Sequence, residues 1–218
     1  MAVIHQTTLT PGKLELLADW LPGRPWYTGG DREPRPERAG GFRLDDPAGE
    51  VGLEFMAIAD GSGGPTAVYH VPLTYRGAPL DGAEEGLVGT AEHGVLGKRW
   101  VYDGAHDPVL VGQLLALIQG AAEPQMQRVS DTPDPSVVPH FGGTALTDPA
   151  GPTAVVDGPD GTHVTVETAT GPVTLTIVRA LRPGTPGGSG VLGWVTAGWL
   201  PEDAGRRGPY AVLRAAGH

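Results

Sequence analysis

Glycine and proline punctuate this chain so densely that long regular elements have little room to form. Thirty-five glycines and 22 prolines among 218 residues cut it into short apolar runs, since neither residue suits the interior of a helix or a central strand. They follow no repeat period, so they read as turns between the strands of a β-rich protein. Two stretches escape the punctuation and are expected as helices. In the first, about 10–21, Thr10 provides a cap, Pro11 suits the first helical position, and Leu14, Leu17 and Leu21 share one face before Pro22 and Gly23 end it. In the second, about 107–120, Asp107 is the cap and Pro108 the first residue, with Leu110, Leu114, Leu115, Leu117 and Ile118 inside.

The other apolar runs read as strands. Residues 41–44, 51–59 and 67–75 follow one another across short turns and are expected as an antiparallel meander, with Pro72 requiring an edge or a bulge. Residues 94–102 form a further extended segment. After a linker-like stretch at 121–136 the pattern changes to short strands at 154–157, 162–168, 173–181, 190–199 and 210–214. The reading is an α+β fold. A two-helix antiparallel sheet over residues 1–130 precedes a smaller all-β unit over 131–218, packed on the first.

Charge and composition then exclude whole classes. A formal charge of −10 leaves no basic surface for nucleic acid, and the arginines between 32 and 38 are interleaved with Asp31, Glu33 and Glu37. With no cysteine there are no disulfides, thiolate metal sites or thiol nucleophiles. The N-terminus has no signal-peptide pattern and no segment reaches the ~20 apolar residues that span a bilayer, so a cytoplasmic protein is expected. His70, His93 and His106 lack the spacing of metal ligands, so no metal is expected. Adjacent Asp45 and Asp46, followed by Pro47 and Gly49, read as turn formers rather than as a catalytic pair. No glycine-rich stretch matches a phosphate loop, and none of the four serines lies in a nucleophile elbow.

One segment is more specific. Trp20-Leu21-Pro22-Gly23-Arg24-Pro25-Trp26-Tyr27 resembles the W-L-P-x-x-R-W-Y opening of maltokinases, with Pro25 where that family usually has a basic residue. The order that follows is similar too: a charged loop, a Y-x-V-P-L-x-Y strand at 69–75, and Y-D-G-x-x-D-P at 102–108 leading into a leucine-rich helix. The resemblance spans about 10–120 and implies the cap domain that precedes a two-lobed kinase. Its extension past residue 130 is fainter. The strand whose lysine holds the nucleotide phosphates in those enzymes corresponds here to Leu175-Thr176-Ile177-Val178-Arg179, with neutral Thr176 in the lysine's place. There is no H-G-D-x-x-x-x-N loop and no asparagine anywhere. No kinase activity, catalytic residue or cofactor is therefore expected of this chain alone.

The resemblance implies a non-catalytic accessory or interaction domain of α-glucan, maltose and trehalose metabolism. Its expected partner is a trehalose synthase, a sugar kinase or a glucan-processing enzyme. Two alternatives stand beside it: a sugar-binding protein or weak carbohydrate-active enzyme of the same pathway, and a cap acting in trans with a separate kinase. Rings that stack on pyranose faces single out Trp26, Tyr27, Trp100 and Tyr102 as ligand candidates, with His93 and Asp103 beside them. Trp194 and Trp199, each next to a glycine, are interface candidates.

Overall fold

The computed structural model describes residues 9–129, 131–147, 149–159, 161–199 and 206–216. Among them are two antiparallel sheets and two short α-helices. The first sheet comprises β1 (Leu9–Thr10), β2 (Glu37–Leu44), β3 (Gly52–Asp60), β4 (Ala67–Arg76), β5 (Leu87–His93), β6 (Gly97–Asp103) and β7 (Gln125–Met126). Their order is β1-β5-β6-β4-β3-β2-β7, so β2, β3 and β4 form the expected meander. The second sheet comprises β8 (Val138–Phe141), β9 (Pro152–Gly158), β10 (Gly161–Val166), β11 (Val173–Val178), β12 (Val191–Gly198) and β13 (Arg207–Ala215), in the order β8-β12-β13-β11-β10-β9. Strands β5 and β8 were not anticipated from the sequence.

Both helices are shorter than their sequence patterns. Helix α1 (Lys13–Trp20) begins after Thr10 and Pro11, because Thr10 pairs with Glu92 in the first sheet. The amide of Gly12 instead donates to Glu15 Oε2 at 2.7 Å, which closes the first turn. Helix α2 (Pro108–Ile118) starts as expected: Asp107 Oδ1 accepts the Val109 amide at 2.9 Å and Pro108 opens the helix. No helix of the described residues is long and apolar enough to cross a membrane.

The alternation in β3 builds two cores. Leu53, Phe55 and Ala57 point to one side, where they join α2 and the inner face of the second sheet, including Val164, Leu175, Ile177, Val195 and Leu213. Met56 and Ile58 point to the other side, against Leu16, Leu17 and Trp20 of α1. Helix α2 is apolar around most of its circumference because it lies in the first of these cores, with Leu110, Val111, Leu114, Leu115 and Leu117 fully buried. Burial of that kind contributes about 1.5–3 kcal/mol per side chain.

The two sheets are also joined through backbone. Beyond β11 the chain leaves the second sheet and adds to the edge of β4: the His70 amide donates to Arg179 O and the Leu181 amide to Val68 O, each at 2.8 Å. Strand β6 pairs only with Leu73–Arg76 of the same edge. Pro72 lies where one neighbour gives way to the other, and its missing N–H costs no ladder bond there. This explains how a proline occupies a strand that is central to the sheet.

Candidate functional site

The eight residues from Trp20 to Tyr27 wrap the end of α1 into the junction between the sheets. Leu21–Gly23 form a 3-10 turn, which brings Trp20 and Trp26 within 5.8 Å of each other, centroid to centroid. The Arg24 guanidinium lies over the Trp20 ring at 4.7 Å and the Arg179 guanidinium over the Trp26 ring at 4.9 Å. The two rings thus lie side by side with a cation against each. Arg179 is fully buried, and a buried guanidinium requires a counter-charge. Asp103 supplies it: Arg179 Nη2 donates to Asp103 Oδ2 at 2.5 Å, while Nε donates to Thr162 Oγ1 at 2.7 Å. Asp103 also accepts the Ala105 amide, which fixes the turn before α2. Asp103, expected as a ligand contact, is occupied in this internal ion pair.

The other ring candidates divide between the two faces of the first sheet. Trp26 is 2% exposed and packs in the α1-side core with Tyr69. Val101 points into that same core, so its neighbours Trp100 and Tyr102 face the opposite side. Trp100 is half-buried beneath Lys98 Nζ, 5.0 Å from its ring, and buried Tyr102 accepts the Leu80 amide at 2.9 Å through its hydroxyl. His93 Nδ1 accepts the amides of Val95 and Leu96 and so shapes the β5–β6 hairpin. The six ligand candidates are not brought together. Of the two interface candidates, Trp199 is buried against Gly40 of β2. Trp194 is half-buried and stacks on His140, with centroids 4.6 Å apart.

Tyr27 stands beside an open cleft, through its bond to Asp60. A cleft of about 640 Å³ is lined by Arg32, Glu33, Arg35, Glu37, Asp60, Ser62 and Thr66, among others. Asp60 organises its wall. The carboxylate accepts the Tyr27 hydroxyl, the Ser62 hydroxyl at 2.7 Å, and the amides of Ser62 and Arg35 at 2.9 and 3.3 Å. Partial burial would raise the Asp60 pKa, but the bonds from Tyr27, Ser62 and Arg35 outweigh it and hold the group below its ordinary value. Burial and the Asp60 carboxylate push the Tyr27 phenol up to about 12. Tyr27 therefore remains a protonated donor, and the cleft presents matched guanidinium donors and carboxylate acceptors. In the sequence these residues read as a turn and a self-cancelling charged loop. The only local sign was the Asp-Gly-Ser turn at 60–62, a composition shared by many loops.

On the second sheet, Thr176 faces His163, whose Nδ1 is 3.1 Å from its hydroxyl. No lysine stands in β11. Asp107 is held by Arg76 through two bonds of 2.6 and 2.7 Å. No group of His, Asp and Glu suited to a metal ion occurs among the described residues.

Part of this geometry falls in a segment similar to a known domain. Residues 20–107 match the maltokinase N-terminal cap domain. The match runs from Trp20, at the start of the cation–ring stack, to Asp107, the cap of α2. It includes Trp26 and Asp103. The cap resemblance read from the sequence is borne out over this span, while α2, the second sheet and Arg179 lie beyond it.

Proposed function

We propose that this protein is a non-catalytic accessory module of α-glucan, maltose and trehalose metabolism, working in the cytoplasm by docking onto an enzyme of that pathway. The cap match over 20–107 carries this reading. The disposition of polar groups supports it: Asp103 and Asp107 are committed to Arg179 and Arg76, and the resemblance implies neutral Thr176 in the place of a phosphate-binding lysine. The partner is a trehalose synthase, a sugar kinase or a glucan-processing enzyme, and a cap serving a separate kinase in trans is one form of this. The docking surface is the outer face of the second sheet, where Trp194 and His140 stack beside Thr196 and Val138 with no helix of the described residues over them. Affinity capture from the native organism's lysate tests the proposal. Recovery of one of those enzymes in stoichiometric amount is expected, and its absence would overturn it.

The cleft beside Tyr27 favours a second reading, a binder of neutral sugars. Its alternating Arg32, Glu33, Arg35 and Glu37 suit hydroxyl groups, which both donate and accept. Thermal-shift titration with maltose, trehalose and short glucans decides it: a saturable rise in melting temperature that Tyr27→Phe reduces is expected under this reading, and no rise refutes it.

A further inference from the structure

A second polar constellation lies on the α1 side of the first sheet and centres on a buried carboxylate. Glu54, 4% exposed on β3, accepts Lys13 Nζ at 2.5 Å and the Tyr75 hydroxyl at 2.6 Å through Oε2, and Gln127 Nε2 at 2.9 Å through Oε1. Arg38 reaches to 4.0 Å of Oε1. Arg43 pairs with Glu54 across β2 and β3 and so projects from the same face.

The backbone is closely packed beside these side chains. Gly41 lies between Arg38 and Arg43 on β2 at a φ of 128°, and a Cβ there would lie 2.1 Å from Phe55 O and 3.1 Å from Gln127 Nε2. The position therefore requires glycine, and no side chain stands between Arg38 and Arg43 at this point of β2. Burial pushes Glu54 towards the neutral acid, but Lys13 and Tyr75 more than reverse this, and the carboxylate is held below its ordinary range. Arg38 and Arg43 both lie within electrostatic reach of the Tyr75 hydroxyl.

Glu54 consumes one donor from each of Lys13, Tyr75 and Gln127. Lys13 keeps two further N–H donors with its side chain 32% exposed, and Arg38 keeps its fork with 28% exposed. The nearest helix carboxylate, Glu15, is committed to the Gly12 amide. We infer that Lys13, Arg38 and Arg43 form a site for a small oxyanion, the phosphate or carboxylate group of a low-molecular-weight ligand. Glu54 serves to position the three cations, as a buried counter-charge that fixes Lys13 and draws Arg38 inward. The site is independent of the docking proposal and of the cleft.

Isothermal titration calorimetry with inorganic phosphate and, separately, succinate at low ionic strength tests it on the whole protein. The variants Arg43→Gln and Arg38→Gln leave the buried Lys13–Glu54 pair intact, and their melting curves establish that they fold. Saturable one-to-one binding of at least one probe is expected. Either variant should weaken it about tenfold, the loss of one charge-assisted hydrogen bond, while Lys98→Gln on β6 leaves it unchanged. A response to phosphate alone identifies a phosphate-bearing ligand, and a response to succinate alone a carboxylate. Binding of neither probe, or binding that the Arg38 and Arg43 variants lose no more than the Lys98 variant, would overturn the inference.

Discussion

Asp103 and Arg179, 76 residues apart, meet in a buried ion pair, one at the end of the cap's β6 and the other just beyond β11 of the second sheet. The cap's two sequence signatures converge on this arginine. Trp26 of the W-L-P-G-R-P-W-Y segment lies against its guanidinium face, and Asp103 of Y-D-G binds its edge.

Removing one partner leaves a buried charge uncompensated. Arg179→Ala or Asp103→Ala is expected to cost about 3–5 kcal/mol, read from urea unfolding. The double variant Asp103→Leu/Arg179→Met should lose clearly less than the sum of the single losses, because no unpaired charge remains. Additive losses would mean that the pair is not coupled.

The strand addition of Arg179–Leu181 to β4, together with the core shared across α2, predicts that residues 1–130 do not fold alone. Such a fragment would expose Phe42, Phe55 and the second-sheet face of α2. It should bind a hydrophobic dye strongly and give poorly dispersed amide spectra. A monomeric fragment that unfolds cooperatively would contradict this.

Acid should weaken the fold before the carboxylates titrate. His70 is buried between Phe55 and Tyr210, and burial, assisted by the Arg179 charge, lowers its pKa from 6.5 to about 3. Between those values the unfolded chain binds a proton that the folded chain refuses. Stability is thus full above about pH 6.5 and falls by about 1.4 kcal/mol per pH unit below it. His70→Phe should flatten this limb between pH 4.5 and 6.5. An unchanged slope in the variant would assign the acid sensitivity elsewhere.

The alkaline side has the opposite sign. Burial raises the phenols of Tyr27, Tyr75 and Tyr210, the first to about 12. Unfolded tyrosines release protons near pH 10 that these three retain when folded, so the stability they contribute is lost as pH rises above 10. Absorbance titration should show more phenolate in the urea-unfolded chain than in the native protein at pH 10.5. Equal amounts would refute the burial of these hydroxyls.

Sequence legibility followed the range of the interaction. Helix α2 announced itself through Asp107, Pro108 and its leucines, and the β2–β4 meander through alternation and turns, all within a few residues. Strand β5 escaped because Leu87-Val88-Gly89-Thr90-Ala91-Glu92-His93 lacks clean alternation and is held by its pairing with β6. Arg179 was read only as part of a strand. Its burial depends on Asp103 and Thr162, which no local pattern connects to it. The Asp60 wall of the cleft was hidden in a turn for the same reason.

If this protein works by docking rather than by catalysis, quantitative capture from native lysate with the wild-type protein and Trp194→Ala side by side will show it. The half-buried, outward-facing Trp194 should be replaceable with a stability cost within about 1 kcal/mol. Stoichiometric recovery of a trehalose-, maltose- or glucan-processing enzyme by the wild type, lost in the folded Trp194 variant, is the predicted result. Recovery of no such enzyme, or equal recovery by both proteins, would rule out docking through this face.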